Sequence, residues 1–149
     1  MHGVRADEAR AYGGIMRSRH VSVWIDVAPD AVYAYAADPH QMVNWAAGLA
    51  QGGLRLTSRG WSADSPMGEV TVEFTGPNTL GVLDHVVRLP SGEAVYNPMR
   101  VVPAGVDARS CEVVFTVRQR PGMTDEQFEA DVAAVAADLE TLRDLLENY

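Results

Sequence analysis

The pair Asp84-His85 has the residue types for acid–base work: a carboxylate beside an imidazole that titrates near neutrality. Their adjacency argues against a dyad. Residues 80–89 have the composition of a strand, and neighbours on a strand point to opposite faces. Leu83, His85, Val87 and Leu89 share one side; Val82, Asp84, Val86 and Arg88 share the other. The first set is the more apolar, so His85 is expected inside and Asp84 with Arg88 on the outer surface. An inward histidine could act as a general base or orient a ligand carbonyl; the plainer alternative is a hydrogen-bonded core histidine. On the next strand Asn97 shares a side with Val95, Met99 and Val101 and is expected inside, with Tyr96 and Arg100 outside. Tyr33 and Tyr35 are further polar candidates. Trp45, Trp61, Met42, Met67 and Met99 read as core filler that could also serve an adaptable pocket.

Several chemistries are excluded. All twelve cationic residues are arginine, so no lysine amine can form a Schiff base. His2, His20, His40 and His85 are scattered, without the spacing of a metal site, and no cofactor or metal is expected. There is no G-x-S-x-G elbow, P-loop or strand-linked G-x-G-x-x-G. The single cysteine, Cys111, opens an apolar strand and is expected to be an inert buried thiol. The net charge of −8 is concentrated at the C-terminus: after Thr124 eight acids face only Arg143, a net of −7. Such a surface repels phosphate backbones, so nucleic acid is not an expected partner, and the acids read as a solvated helix face. With no long apolar run and no leader-like N-terminus, a cytoplasmic protein without stable membrane insertion is expected. Its oligomeric state is left open.

The elements that must position these residues follow from periodicity. Residues 1–17 are small, polar and aperiodic and read as a flexible extension, leaving 18–149 as one domain. Val21, Val23, Ile25 and Val27 alternate with polar residues as a half-buried strand. Pro29-Asp30 begins one short helix, and Asp38-Pro39-His40-Gln41 a second that runs through Trp45. Strands over 54–63, 68–75, 80–89, 93–102 and 110–119 are punctuated by Gly, Pro and Asn turns, the pattern of an antiparallel meander. Thr124 and Gln127 form a capping box. Phe128, Val132, Val135, Leu139, Leu142 and Leu146 then repeat at spacings of four, three, four, three and four, one apolar stripe on a long helix. That helix carries Ala130, Ala133, Ala134, Ala136 and Ala137; where these face the sheet they would leave room for a cavity.

This order resembles the α+β helix-grip fold, in which a curved antiparallel sheet wraps a long C-terminal helix. The fold is that of START lipid-binding domains, Bet v 1-like pollen allergens and polyketide cyclases (the SRPBCC superfamily). The resemblance runs from Arg19 to Asn148. It is carried by Val21-Ser22-Val23-Trp24-Ile25, Ala28-Pro29-Asp30-Ala31-Val32-Tyr33, Asp38-Pro39 with Trp45, and a strand similar to Gly81-Val82-Leu83-Asp84-His85-Val86-Val87 in uncharacterised bacterial members. It implies a pocket between sheet and helix for a small hydrophobic or amphipathic molecule such as a polyketide, lipid or isoprenoid. The expected lining is Tyr33, Tyr35, Trp45, Trp61, Val72, Phe74, Leu83, His85, Val87, Asn97, Met99, Val113, Phe115, Val132, Val135, Ala136 and Leu139. Three roles stand open: a carrier, a cofactor-free cyclase or dehydratase using His85, and a co-chaperone-like interaction module.

Overall fold

A computed structural model describes residues 17–49 and 52–148. The extension read over residues 1–17 lies outside the described residues except for Arg17. That residue's carbonyl accepts the Gln119 N–H, and its guanidinium lies 4.8 Å from the centroid of the Phe128 ring.

The chain runs β1 (Ser18–Ile25), α1 (Pro29–Ala36), two 3-10 turns (Met42–Asn44 and Ala47–Leu49), β2 (Arg55–Thr57), β3 (Gly60–Ser65), β4 (Gly68–Phe74), β5 (His85–Arg88), β6 (Ala94–Asn97), β7 (Met99–Pro103), β8 (Cys111–Arg118) and α2 (Asp125–Glu147). It is an α+β fold. All strand pairs are antiparallel, in a three-stranded ladder β1-β8-β7 and a five-stranded ladder β2-β3-β4-β5-β6. The capping box of α2 is complete, with the Gln127 N–H donating to Thr124 Oγ1 at 3.1 Å and the Thr124 N–H donating to Gln127 Oε1 at 2.9 Å.

Three strand expectations are corrected. The segment 54–63 is a hairpin rather than one strand. Its turn ends at Gly60, whose φ of +100° few side-chain-bearing residues tolerate. The strand expected over 80–89 is regular only from His85. Before it, Gly81 packs so closely on Val101 that an added Cβ would fall 2.3 Å from the Val101 carbonyl oxygen. The strand expected over 93–102 is broken at Pro98, which has no N–H to give a ladder, and its halves join different ladders. The second helix is also corrected, to the two 3-10 turns: Val43 and Asn44 are weak helix formers, and Gly48 and then Gly52-Gly53 oppose extension past Trp45. Met67 is exposed at a turn, not core.

At the Pro98 break one side chain replaces the missing backbone partner. Asp84 Oδ1 accepts the Met99 N–H at 2.8 Å and Arg100 Nε at 2.9 Å; Oδ2 accepts Arg100 Nη2 at 2.7 Å and the Tyr96 hydroxyl. Asp84 does point away from the His85 side. It is nevertheless only 6% exposed, not the surface residue its strand position suggested, because Tyr96 and Arg100 fold over it. Arg88, expected beside it, pairs instead with Glu73 on the exposed surface. Just before Asp84 in the chain the backbone stitches the ladders together: Leu83 N–H donates to Met99 O and Val101 N–H to Gly81 O, both at 2.8 Å.

The helix α2 packs on β1 and β8, the three-stranded part. Leu139 and Leu142 are buried there with Ile25, Val113 and Cys111, and Phe128 is buried at the other end beside Arg17 and Arg19. Burial pushes the Cys111 thiol up to about 11, leaving it protonated at neutral pH. Among the described residues no helix is long and apolar enough to cross a membrane.

The Arg100 guanidinium holds the Asp84 carboxyl well below the usual carboxylate range, helped by Tyr96 and the Met99 amide against the cost of burial. A depressed pKa means that the unfolded chain binds this proton first. The stabilisation is therefore present above the unfolded value of about 3.9 and is lost as pH falls through the folded one. Asp84→Ala leaves the Met99 amide without its acceptor and is expected to cost about 1–3 kcal/mol in urea unfolding at pH 7. The gap should narrow toward low pH; an unchanged unfolding midpoint would remove Asp84 from this role.

Candidate ligand pocket

The inner face of the five-stranded ladder is not covered by α2 in the way the three-stranded part is, and a cavity of about 270 Å³ lies against it. That is about twenty times the space one water needs. Its floor is Val70, Val72 and Phe74 of β4 with His85 and Val87 of β5, extended by Leu83, Met99 and Phe115. Val135, Asp138 and Leu139 of α2 form one wall. Ala36, Ala37, Met42, Trp45, Ala46, Gly48 and Leu49 form the roof, and Leu54, Asp64, Ser65 and Thr75 complete the lining.

Of the residues expected to line a pocket, ten do so: Trp45, Val72, Phe74, Leu83, His85, Val87, Met99, Phe115, Val135 and Leu139. Seven lie elsewhere. Tyr33 turns its hydroxyl to the Asn78 N–H at 3.0 Å, and Tyr35 sits 3.5 Å from Asn44 Nδ2. Trp61 pairs with Val72 in register but is one strand nearer the sheet edge, where the His40 ring packs edge-on at 5.4 Å. Asn97 pairs with His85, on β6, beyond the cavity's last strand. Val113 is fully buried, on a strand covered by α2. Val132 and Ala136 are half-buried on α2 away from the lining. The source of the space is also corrected: Ala130, Ala133, Ala134 and Ala137 are exposed on the outer side of α2. The small side chains that leave room belong to the roof: Ala36, Ala37, Ala46 and Gly48.

His85 sits between two aromatic rings, with centroids 6.2 Å from Phe74 and 5.8 Å from Phe115. Its Nδ1 is 3.0 Å from the Leu83 carbonyl oxygen. A carbonyl can only accept, so Nδ1 carries the proton and Nε2 carries a lone pair. Desolvation pushes the imidazole pKa below its ordinary 6.5, against the smaller opposing pull of the Leu83 carbonyl and the Asp84 charge. The ring is therefore a neutral acceptor at physiological pH.

Asp138 belongs to the acidic run that reads as a solvated face, yet it lines the cavity. It accepts the Ala47 N–H at 3.1 Å, tying the second 3-10 turn to α2. Burial raises its pKa above the ordinary 3.8, partly offset by that amide. The signal was present in the sequence: Val135, Asp138, Leu139 and Leu142 stand at i, i+3, i+4 and i+7, one helix face. Trp45, another lining residue, has a buried Nε1–H with no acceptor among the described residues. No group of three or more His, Cys, Asp or Glu side chains there could hold a metal.

Two titrations check these assignments. By NMR the His85 imidazole should titrate with a midpoint below 6.5; a midpoint at or above that value would contradict its desolvation. For Asp138 the raised pKa means that the folded state binds the proton more tightly, so stability falls as pH rises through the window above 3.8. Asp138→Asn keeps an acceptor for Ala47 and should melt higher than wild type at pH 7, the difference closing below the ordinary aspartate pKa of about 3.9.

No family model matches the chain, and no curated protein matches it. Solved structures do. The di-domain ARO/CYC protein BexL, from the BE-7585A biosynthetic pathway, superposes with a TM-score of 0.68 at 14% identity, over 88% of this chain and 46% of that one. The protein XoxI from Bacillus cereus gives 0.65 at 13% identity, over 86% and 94%. A truncated norcoclaurine synthase from Thalictrum flavum gives 0.63 at 13%, over 91% and 96%. At such identities the likeness is one of architecture, and with the layout above it establishes the helix-grip fold for this chain.

Proposed function

We propose that this protein binds a small hydrophobic or amphipathic molecule, of polyketide, lipid or isoprenoid type, between the sheet and α2. The observation that carries the reading is the cavity of about 270 Å³ with a mainly apolar lining from both layers. Burying apolar surface there supplies affinity at roughly 25 cal/mol per Å² before the costs of ordering. A few polar groups at fixed positions supply orientation, the usual division of labour in small-molecule pockets.

A second reading, a cofactor-free cyclase or dehydratase, draws on one specific feature. His85 carries its proton on Nδ1 and offers an unprotonated Nε2 in a desolvated site, the state a general base requires. The likeness to BexL, an ARO/CYC protein of the BE-7585A biosynthetic pathway, lends this reading fold-level support only.

The experiment is titration with the fluorescent apolar probe N-phenylnaphthylamine. Saturable binding is expected. Val135→Phe, which puts an aromatic ring into the cavity wall, should weaken it at least about tenfold, or 1.4 kcal/mol. Wild type that fails to bind, or a variant that binds as tightly while remaining folded, would count against the pocket. His85→Ala separates the two readings: a carrier retains probe binding, whereas an enzyme loses turnover of its substrate with the fold intact.

A further inference from the structure

The hydrogen-bonding capacity left over in the cavity wall is lopsided. Thr75 Oγ1 donates to the Asp84 carbonyl at 2.7 Å, Ser65 Oγ donates to the Gly68 carbonyl at 2.8 Å, and His85 Nδ1 is committed to the Leu83 carbonyl. The side-chain donors that could have served a ligand are therefore used within the protein, apart from the Trp45 indole N–H, which is neutral. Beside that one neutral donor, what remains is acceptors: His85 Nε2 and the Asp138 oxygen that the Ala47 amide does not use; Asp64 is already taken by Arg55. No arginine is among the described lining residues, and the sequence has no lysine. Arg55 stands near the rim, but it is held by Asp64 at 3.2 Å and by Glu69 at 2.8 Å. Asp138 has no cationic partner among the described ion pairs.

An anionic head group entering this space would lose its hydration, find no cation and face a carboxylate at low effective dielectric. Each of these opposes binding. A hydroxyl or amine would instead donate to acceptors that otherwise lack a partner, and an ammonium would gain from the Asp138 charge. Resting on the ligand-binding reading above, the geometry points to a narrower ligand class: an apolar body whose polar groups are hydrogen-bond donors (alcohol, phenol or amine) and which carries no negative charge. Free fatty acids and polyketide carboxylates are thereby excluded, with Asp138 as the residue that discriminates.

The test uses three probes with one aromatic body, naphthaleneethanol, naphthaleneethylamine and naphthaleneacetate, titrated calorimetrically into the whole protein. The alcohol and amine are expected to bind at least about tenfold more tightly than the acetate. Asp138→Asn, with its fold checked by thermal melting, should narrow the gap by weakening the amine and strengthening the acetate. Acetate binding equal to that of the alcohol overturns the charge selection while leaving the pocket standing. A gap unchanged in Asp138→Asn removes Asp138 as its cause. If none of the three binds, the ligand-binding reading fails and this inference fails with it.

Discussion

A proline in the middle of a sheet leaves a donor missing, and this fold is organised around the carboxylate that meets the consequence. Pro98 cannot carry the β6 ladder on into β7, so the chain passes from the five-stranded to the three-stranded pairing at that point. Asp84 accepts the next available amide, that of Met99, and locks both flanks through Arg100 and Tyr96. The Asp84 carboxylate owes its low proton affinity to hydrogen bonding with Arg100, whose side chain is half exposed, so the pair avoids the full desolvation cost of a buried one. Because side chains alternate, fixing Asp84 on the outer face fixes His85 on the inner one. The clamp and the pocket histidine are consecutive residues with unrelated work.

The cavity follows from how little of the sheet the long helix covers. Seated on β1 and β8, α2 fills the space above the three-stranded part with Phe128, Leu139 and Leu142. Over β4 and β5 the cover comes from the 3-10 turns and the end of α1, whose inward residues include alanine and glycine. Short turns with small side chains roof a space without filling it, whereas a third amphipathic helix would have brought leucines into it. The cavity is thus a property of which element lies over which ladder, and α2 contributes only one wall.

Much of this was legible in the sequence, and where it was not the reason is physical. The 3.6-residue stripe from Phe128 to Leu146 and the Thr124 cap specify α2 without reference to anything else, and the alternation in β1 does the same. His85 could be placed inside because its strand neighbours are apolar. Tyr33, Tyr35, Trp61 and Asn97 could not be separated from true lining residues, because a face says nothing about how far along the sheet the cavity extends. Asp138 was hidden by composition: counted among eight acids it reads as solvated, and only its phase relative to Val135 and Leu139 places it inside. The helix alanines misled for the converse reason, since small residues on the outer face of a helix look the same as small residues that make room.

Asp138 has a visible structural duty, accepting the Ala47 amide and so fastening the pocket roof to α2. That duty requires an acceptor and not a charge. Asparagine would supply the acceptor without the desolvation penalty that raises the pKa of this carboxyl. Fastening the roof accounts for one oxygen at this position, but it does not account for a negative charge facing an apolar space with no cation opposite. A group that costs stability without structural return is what a binding site is expected to contain, since sites built to recognise a partner are held in states the fold alone would not choose. The same reasoning does not extend to Asp84, whose charge is answered by Arg100 and whose bonds all serve the sheet. Of these two buried carboxylates, Asp84 is complete within the protein and Asp138 is left open toward the cavity.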